Sequence, residues 1–437
     1  MRKKKAGEIS RFPKPRPRPK PHGGGRFVLP LVVAGLLAGA GDKSHADEGD
    51  PFRLTALDPP IGMNAREPSL ATFPDGRVVL NWTEDSGDNK AIRMAVLHQS
   101  TWSPARTIHG SEKIFVNWAD FPSVVALSDG KLAAHWLELN GPGSYQYDVN
   151  ISFSSDEGKS WTQPILPHDD RSQREHGFVS LVPDNDGGLT ALWLDGRQYD
   201  SQSRDDSFGN SMQVRARHMT PDGTTGPESL LDPRACTCCQ TSAARNAAGQ
   251  IIAAYRDRSV DEIRDIAVVR LTEMGWTQPE TIHEDGWKIA GCPVNGPAVD
   301  ALGSDAVVLW FTAASGEGQV RIAFSKDGGT TFDAPLPLDL GASVGRVDVL
   351  LMPDHTAIAL WIEYVDDGEA IVMCRVSPEN GCKSPQTLHI NQGRETVGFP
   401  RMTRSENGVL VAWTGSPDGG KSTTVRMLDV AMAPGSP

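Results

Sequence analysis

The stretch Glu67–Asp85, EPSLATFPDGRVVLNWTED, contains two runs of alternating apolar residues separated by the turn Pro74-Asp75-Gly76. Such alternation on both sides of a Gly/Asp turn predicts a β-hairpin. Six further stretches repeat the pattern: Asp120–Leu139, Glu175–Arg197, Gln240–Ser259, Asn295–Ala314, Gly345–Tyr364 and Val397–Ser416. Each copy carries one aromatic residue near the end of its second strand: Trp82, Trp136, Trp193, Tyr255, Trp310, Trp361 and Trp413. Self-similarity of this kind indicates a repeat architecture.

A second hairpin follows each of the first six copies, and its last strand carries a Trp-x-x-Pro signature or a variant, as in Trp161–Pro164 and Trp276–Pro279. Four antiparallel strands per copy, repeated seven times, predict an all-β, seven-bladed β-propeller. The seventh copy has only three strands and ends in Thr424–Val430, whereas Phe52–Leu57 has no hairpin partner of its own. We therefore expect this N-terminal strand to close the ring, because closure removes an exposed sheet edge.

Two turns between third and fourth strands share the spacing Ser-x-Asp-x-Gly-x-x-aromatic, at Ser154–Trp161 and Ser325–Phe332. In such a turn the Asp accepts backbone N–H bonds and the Gly supplies a positive φ. With these motifs the chain resembles the sialidase superfamily, whose turns of this kind are called Asp boxes or BNR repeats. The resemblance implies that the Asp boxes lie on the face opposite the active site. Because sialidase propellers have six blades, a six-bladed ring with one degenerate copy is the alternative to seven.

Sialidases hold a substrate carboxylate with three arginines, since a guanidinium fork matches a carboxylate. They use a Tyr–Glu pair as nucleophile and an Asp as acid/base. Arg66, in Arg66-Glu67-Pro68, resembles the Arg-x-Pro motif of the family, and Arg346 and Arg401 occupy plausible inner-strand positions. The catalytic set that the resemblance implies is Arg66, Asp85, Arg346, Glu363, Tyr364 and Arg401, with Glu363 and Tyr364 as the nucleophile pair.

Strand phase gives a second set of candidates on the same face. If the first turns and the Asp boxes share one face, the other carries the starts of the first strands and the loops after the second strands. The predicted substrate-binding residues there are Asp120, His176, Arg197, Arg256 and Asp257. Loop ends are polar in any soluble protein, so part of this set is expected to be solvated and without a role in binding.

The six cysteines divide into a pair and a group of four. Cys374 and Cys382 are expected to form a disulfide across the third and fourth strands of blade six. Cys236, Cys238, Cys239 and Cys292 precede the first strands of blades four and five, which predicts that they converge at the channel mouth. Disulfides that link the two blades, four thiolates that hold zinc or copper, and a reactive thiol are the three interpretations of this cluster.

The N-terminal segment 1–46 has a basic region, the apolar stretch Phe27–Gly41 and the small residues Ser44-His45-Ala46. This order is typical of a signal peptide, here with a long basic n-region, and an uncleaved N-terminal anchor is the alternative. Residues 47–437 are then a single propeller domain, periplasmic or secreted, with no stable membrane span after cleavage. They contain 32 Lys/Arg and 53 Asp/Glu, a net charge of −21, so we expect no nucleic-acid partner.

These patterns lead to two functional hypotheses. The first is an exported, sialidase-like propeller that acts on or binds a carbohydrate or another small anionic ligand at the central channel mouth, as an exo-glycosidase in its enzymatic form. The second is a periplasmic metal or redox protein organised around the cluster of four cysteines, with copper or zinc as the cofactor. A non-catalytic scaffold for protein contacts is a third possibility.

Overall fold

The computed structural model describes residues 51–127, 130–200, 210–366, 368–392, 398–416 and 422–432. Within these ranges the chain folds into seven antiparallel sheets, one for each sequence repeat. This confirms the seven-bladed β-propeller, and the six-bladed alternative is wrong. The signal segment predicted at 1–46 lies outside the described residues. No helix in these ranges is long and apolar enough to cross a bilayer.

The first three blades follow one another along the chain after a strand that belongs to the last blade, β1 (Phe52–Leu57). Blade one contains β2 (Arg66–Thr72), β3 (Val78–Ser86), β4 (Asn89–His98), β5 (Thr101–Trp102) and β6 (Arg106–Ser111). Blade two contains β7 (Ser123–Ala126), β8 (Leu132–Leu139) and β9 (Tyr147–Ser154). Blade three contains β10 (His176–Pro183), β11 (Leu189–Asp195), β12 (Met212–Met219) and β13 (Ser229–Ala235).

The remaining four blades follow in order along the chain. The predicted four strands per blade are present in blades three, five and seven, whereas blade two has three and blades one, four and six have five. Blade four contains β14 (Ser242–Arg245), β15 (Ile251–Arg256), β16 (Ile266–Thr272), β17 (Gly275–Trp276) and β18 (Glu280–Thr281). Blade five contains β19 (Ala298–Leu302), β20 (Asp305–Thr312), β21 (Gln319–Ser325) and β22 (Leu336–Pro337). Blade six contains β23 (Ser343–Leu351), β24 (Ala357–Val365), β25 (Gly368–Ser377), β26 (Gly381–Cys382) and β27 (Gln386–Gln392). Blade seven contains β28 (Arg401–Ser405), β29 (Gly408–Gly415) and β30 (Thr424–Met432).

The N-terminal strand closes the ring. β1 pairs antiparallel with β30 over six residue pairs, from Phe52 opposite Met432 to Leu57 opposite Met427. The last blade therefore takes its inner three strands from one end of the chain and its outer strand from the other. This pairing covers the backbone edge of β30, which would otherwise be open to another chain.

The aromatic residue near the end of each second strand is buried between neighbouring blades. All seven of these side chains are at most 2% exposed. Trp361 of blade six, for example, belongs to the same apolar cluster as Val307 and Leu309 of blade five. Large aromatic side chains dominate the burial energy of such interfaces, so the repeated aromatic residue holds adjacent blades together.

The Asp boxes and the first turns of the blades share one face. Arg77, at the first turn of blade one, donates to Glu157 in the Asp box of blade two at 2.8 Å. Within that box Asp156 accepts the Ser160 backbone N–H at 2.8 Å, and Gly158 has a φ of 79°. The opposite face, called the mouth face below, therefore carries the starts of the first strands and the loops after the second strands.

Candidate functional site

Three first strands bulge where they begin at the mouth face. The pairing register shifts after Arg66 in β2, after Gly177 in β10 and after Gly345 in β23. At each bulge a residue other than glycine has positive φ: Glu67 at 55°, Phe178 at 54° and Arg346 at 51°. Bulges redirect side chains, and strained backbone of this kind concentrates at functional sites. The bulges thus mark the channel end of the mouth face as the candidate site.

Three aromatic rings at the mouth come together from distant parts of the chain. Trp118 and Phe121 belong to the segment before β7, and Phe399 precedes β28. The ring centroid of Phe399 lies 6.0 Å from that of Trp118 and 5.9 Å from that of Phe121. Trp118, Phe121 and Phe399 are called the aromatic cluster below. Rings at these separations pack favourably. A segment of blade two thereby reaches blade seven and forms an apolar surface at the mouth.

Two of the predicted arginines lie against this aromatic cluster. The Arg346 guanidinium lies 4.7 Å from the Trp118 ring centroid, and that of Arg401 lies 5.9 Å from Phe121. Arg346 also pairs with Glu369 at 3.3 Å, and Arg401 approaches Asp348 at 3.7 Å. The structure therefore brings Arg346 and Arg401 to one aromatic surface.

Arg66, the third predicted arginine, pairs with a different predicted site residue. Its guanidinium contacts Asp85 at 3.2 Å and donates to the Asn64 carbonyl at 2.6 Å. A hydrogen bond from the Asn64 amide, together with the Arg66 charge, lowers the pKa of Asp85. Asp85 is thus a carboxylate at neutral pH that pairs with Arg66. This does not suit the role of acid, for which the carboxyl would have to hold a proton.

Glu363 and Tyr364 do not form the predicted nucleophile pair. Neighbouring residues of a strand point to opposite faces, and the Glu363 carboxylate accepts the Trp361 indole N–H at 2.7 Å and the N–H groups of Leu340 and Ala342. Tyr364 instead lies opposite Glu369 in the β24–β25 register. The glutamate beside Tyr364 is therefore Glu369, and Glu363 supports the blade.

The role of Glu363 belongs to a motif that sequence reasoning missed. A carboxylate two residues after the repeated tryptophan lies on the same side of the strand and can accept its indole N–H. Trp82 donates to Glu84 at 2.6 Å, and Trp193 donates to Asp195 at 2.9 Å. The spacing Trp-x-Glu/Asp was visible in the sequence and indicates a cap on a buried indole.

Two predicted binding residues next to the cysteines are also held within the protein. Arg256 donates to three backbone carbonyls, those of Asn295, Arg264 and Phe311, at 2.6–2.8 Å, and stacks 4.8 Å from Trp287. Burial lowers its pKa to about 9. Asp257 accepts the backbone N–H of Arg258, and burial raises its pKa to about 6. Arg256 therefore braces blades four and five, with each guanidinium nitrogen engaged inside the protein.

Arg197 is likewise engaged by carboxylates. Its Nε and Nη2 donate to the two oxygens of Asp195 at 2.7 Å, and Nη2 also donates to Glu228 at 2.7 Å. Such bidentate pairs are strong and fix the guanidinium plane.

The predicted binding residue His176 is fully buried and stacks on His168, with ring centroids 4.0 Å apart. The structure thus places His176 in a side-chain cluster between blades two and three.

Asp120 is part of a buried acidic group that sequence reasoning did not find. The Tyr147 hydroxyl lies 3.0 Å from Asp120 Oδ2 and 2.9 Å from Glu175 Oε1. Asp120 also accepts the Phe178 backbone N–H at the bulge of β10, at 2.7 Å. Asp120, Tyr147 and Glu175 are called the acid relay below. The only sequence signal is the position of Asp120 between the aromatic residues Trp118 and Phe121.

Burial sets the protonation of these carboxyls. Desolvation raises the pKa of Asp120 to about 7 and that of Glu175 to about 8. It also raises the pKa of Glu67, at the bulge of β2, to about 7. Because one hydroxyl carries one proton, the relay is satisfied when Glu175 donates to Tyr147 and Tyr147 donates to Asp120. The higher pKa of Glu175 favours this arrangement over the reverse one, in which Asp120 holds the proton, and Glu175 is the partly exposed member of the relay.

The cysteines at the mouth face form two disulfides. Cys236 bonds to Cys239 and Cys238 bonds to Cys292, with Cα separations of 5.8 and 6.0 Å. The second bond links the segments that precede blades four and five. Of the three interpretations left by the sequence, the structure therefore has the disulfides. The sulfurs of Cys236, Cys238 and Cys239 lie within 4.8 Å of one another, which would also suit a metal ion in the reduced protein.

The remaining two cysteines are joined within blade six. Cys374 in β25 bonds to Cys382 in β26, with a Cα separation of 6.0 Å. All six cysteines are thus paired. Such pairing fits a protein that resides in an oxidising compartment.

No protein-family model and no curated protein matches the chain. Among solved structures, a protein of unknown function from Dyadobacter fermentans is 16% identical, with a TM-score of 0.51, and the match covers 88% of this chain and 100% of that one. The intramolecular trans-sialidase of Ruminococcus gnavus is 11% identical, with a TM-score of 0.47 and coverage of 73% and 97%. The NanB sialidase of Streptococcus pneumoniae is 10% identical, with a TM-score of 0.47 and coverage of 82% and 83%. At 16% identity the likeness to the first of these concerns the fold alone, which is the propeller described above.

Proposed function

We propose that this protein is an exported propeller that binds an acidic carbohydrate at its mouth face and hydrolyses a glycosidic bond there. The observation that carries the proposal is the placement of Arg346 and Arg401 against the aromatic cluster. Ligand sites combine apolar and aromatic walls with a few placed polar groups. A sugar ring would pack on Trp118 and Phe121 while its carboxylate meets the two guanidinium groups.

The acid relay supports a hydrolytic role for the same region. Asp120 lies in the segment that also supplies Trp118 and Phe121, so relay and aromatic cluster share one backbone element. Asp120 Oδ2 and Glu175 Oε1 contact the same Tyr147 hydroxyl, which lies between them, so the relay would serve as a single proton donor and not as the acid and nucleophile of a retaining glycoside hydrolase. Glu175, the partly exposed member, would donate its proton to the leaving oxygen while a water molecule adds to the anomeric carbon, and the proton that this water releases would restore Glu175.

The binding step is tested with an oligosaccharide that ends in a uronic or sialic acid and with its methyl ester. Arg401→Ala should weaken binding of the acid by about tenfold or more, because a charge-assisted hydrogen bond contributes about 1.5–3 kcal/mol, and should leave the ester unaffected. Arg77→Ala is the matched control, since Arg77 also stacks on an aromatic ring, 4.8 Å from Phe73, but on the opposite face. If wild type and Arg401→Ala bind the acidic oligosaccharide with equal affinity, the mouth is not the binding site.

The chemical step is tested by replacing the proposed acid. Glu175→Gln keeps the shape of the side chain but holds no transferable proton, so turnover of a sialylated or uronic-acid oligosaccharide, whose leaving group is a sugar hydroxyl, should fall by about 10²–10⁴-fold, the usual contribution of a general acid. Binding of the substrate should persist. If Glu175→Gln turns over the substrate at the wild-type rate, Glu175 is not the general acid, and only the carbohydrate-binding part of the proposal stands.

Export is the second part of the proposal. The three disulfides and the N-terminal segment support a periplasmic or secreted location, with cleavage near Ala46. N-terminal sequencing of the protein recovered from the periplasm or the medium should then begin near Asp47. Recovery of the intact chain with the membrane fraction would favour the uncleaved anchor.

A second candidate function rests on the cysteine cluster. Cys236 Sγ lies 3.9 Å from Cys238 Sγ, so the two disulfides are in contact and their reduction would release four thiols at one place. Thiolate groups of this kind bind zinc or copper(I). Elemental analysis of reduced, tag-free protein tests this: one copper or zinc per chain that is lost in Cys238→Ser supports a metal or redox role. Reduced protein without such a metal contradicts it.

A further inference from the structure

The two disulfides at the mouth face lie side by side and differ in exposure. Cys236 and Cys239 are 1% exposed, whereas Cys238 is half-buried and Cys292 is exposed. Cys236 Sγ lies 3.9 Å from Cys238 Sγ, so the two bonds are in contact. Sulfur atoms therefore form an unbroken path from solvent at Cys292 to the buried Cys236–Cys239 bond.

The buried bond has two features of a reactive disulfide. It closes the spacing Cys-x-x-Cys, which is found in disulfide oxidoreductases. Arg264 Nη1 also lies 3.6 Å from Cys236 Sγ, while Nη2 of the same guanidinium donates to Glu262 at 2.8 Å and is held in place by it. A positive charge beside a sulfur stabilises the negative charge that the sulfur gains when its disulfide breaks. Arg264 therefore favours the departure of Cys236 from a disulfide.

The third disulfide has a different environment. Cys374 is fully buried in the apolar cluster of blades five and six, and Cys382 packs against that cluster. Buried structural cysteines are inert, and exposed disulfides are more easily reduced than protected ones. Cys374–Cys382 is therefore a structural bond, and it provides an internal reference for the two bonds at the mouth.

We propose that Cys236, Cys238, Cys239 and Cys292 form a thiol–disulfide relay, which takes electrons from an external protein dithiol at Cys292 and passes them to the buried pair. A dithiol is the partner that this chemistry requires, because its first thiol attacks a disulfide and its second resolves the mixed disulfide that forms. The relay rests on the second candidate function above, of which it specifies the redox form, and it is independent of the carbohydrate site.

The first exchange opens both disulfides. A thiolate of the dithiol attacks Cys292 Sγ, a mixed disulfide forms, the Cys238–Cys292 bond breaks and Cys238 leaves as a thiolate. Cys238 then attacks Cys236 Sγ: a Cys236–Cys238 bond forms, the Cys236–Cys239 bond breaks, and Cys239 leaves and takes a proton from water. The second thiol of the dithiol displaces Cys292 from the mixed disulfide. The dithiol is thereby oxidised to a disulfide, and its two electrons reside on the thiols of Cys239 and Cys292.

A second exchange completes the reduction. A further dithiol attacks the half-buried Cys238, the Cys236–Cys238 bond breaks, and Cys236 leaves as a thiolate beside Arg264. The second thiol of this dithiol then displaces Cys238 as a thiol. Arg264 thus acts on this step, because it stabilises the leaving sulfur.

The first test adds graded dithiothreitol to the full oxidised protein in the presence of a metal chelator. Thiols are trapped by alkylation and located by fragmentation of the mapped peptides. The mouth cysteines should become reactive at about tenfold lower dithiothreitol than Cys374 and Cys382, a difference of about 30 mV for a two-electron couple. Reduction of all three disulfides over one range of concentration would contradict the relay.

A single free thiol tests transfer between the two bonds. Cys292→Ala leaves Cys238 without its partner, so exchange should move part of the free thiol to Cys239 and link Cys236 to Cys238. Cys382→Ala is the matched control, in which Cys374 should be the only residue alkylated after unfolding. If Cys238 is the only residue alkylated in Cys292→Ala, the two bonds do not exchange and the relay is wrong.

The role of Arg264 is tested by the rate of reduction. Arg264→Gln should slow full reduction of the mouth cysteines by dithiothreitol and leave the rate at Cys374–Cys382 unchanged. Arg270→Gln is the control, because Arg270 is an arginine of the same blade that donates to Thr330 Oγ1 instead. Equal rates in wild type and Arg264→Gln would contradict the departure of Cys236 beside this guanidinium.

Zinc uptake by the reduced protein separates the relay from the metal form of the second candidate function. Uptake of zinc by a protein whose mouth disulfides do not exchange supports the metal form and overturns the relay. Exchange without uptake of zinc supports the relay and removes the metal form.

Discussion

Single carboxylates two positions after the repeated tryptophan stabilise the blades. Glu363 is 2% exposed and accepts three N–H groups. Glu363→Ala should lower the free energy of unfolding by about 2–4 kcal/mol, because buried donors left without partners each cost about 1–3 kcal/mol. Urea denaturation checks this, with Glu379→Ala as the exposed control. Surface substitutions usually change the free energy of unfolding by no more than about 0.5 kcal/mol. A decrease of that size or smaller in Glu363→Ala would contradict the structural role.

The protonated acid of the relay makes stability depend on pH with a definite sign. The folded protein holds a proton on Glu175 up to about pH 8, whereas the unfolded chain releases it near the ordinary value of 4.5. Between these values the folded state binds more protons, so stability falls as pH rises, by at most about 1.4 kcal/mol per pH unit for one proton. Glu175→Gln should remove this share of the slope.

The measurement is urea denaturation of both proteins at pH 5, 6.5 and 8. The difference in the free energy of unfolding between wild type and Glu175→Gln isolates this carboxyl from groups such as His135, whose pKa burial lowers to about 3 and which therefore acts on stability in the opposite sense. A difference that stays constant over this range, or that grows in favour of wild type as pH rises, would show that Glu175 is ionised in the folded protein.

At the scale of strands, β1 completes the last blade. Deleting residues 47–58 should expose the edge of β30, including the partners of all six β1 residues. Exposed edges pair with other chains, so the shortened protein should aggregate or elute as oligomers in size-exclusion chromatography with light scattering. A chain that begins at Asp50 keeps the strand and is the control. A monomeric product of the 47–58 deletion would show that β30 is protected in another way.

A disulfide joins the third and outer strands of blade six. Cys382 stands where other blades have the signature tryptophan, so a cross-link takes the place of an aromatic anchor. The chain-entropy model gives about 2–3 kcal/mol for closing a loop of this size. Changing both Cys374 and Cys382 to Ala should cost about that much in urea denaturation. Peptide mapping of the non-reduced wild type should recover both residues in one linked peptide, and two alkylated thiols would contradict the bond.

For the whole molecule, the net charge opposes the proposed ligand. Residues 47–437 carry −21, so an acidic sugar approaches against the overall field and is held only by arginines at short range. Salt screens distant charges first, as the Debye length falls from about 30 Å at 0.01 M to about 10 Å at 0.1 M. The association rate of the acidic sugar should therefore rise over this range of salt. A rate that falls would indicate a local positive field that outweighs the net charge.

The sequence by itself determined the repeat, the seven in-phase copies and the closing strand. These follow from alternation, turn residues and the phase of seven aromatic positions, all of which are local along the chain. The same phase brought Cys236, Cys238, Cys239 and Cys292 to the start of neighbouring blades, where the structure joins them in disulfides.

Only the tertiary structure decided which charged groups meet. Glu363 and Tyr364 are neighbours in sequence but lie on opposite sides of β24. The Glu363 carboxylate accepts the indole N–H of Trp361. Asp120 and Glu175, 55 positions apart in the numbering, share one tyrosine hydroxyl. Such contacts depend on bulges, on the packing of one blade on the next and on the path of connecting segments. Local periodicity carries none of this information, because it specifies the direction of a side chain within its own strand but not the partner across the blade interface.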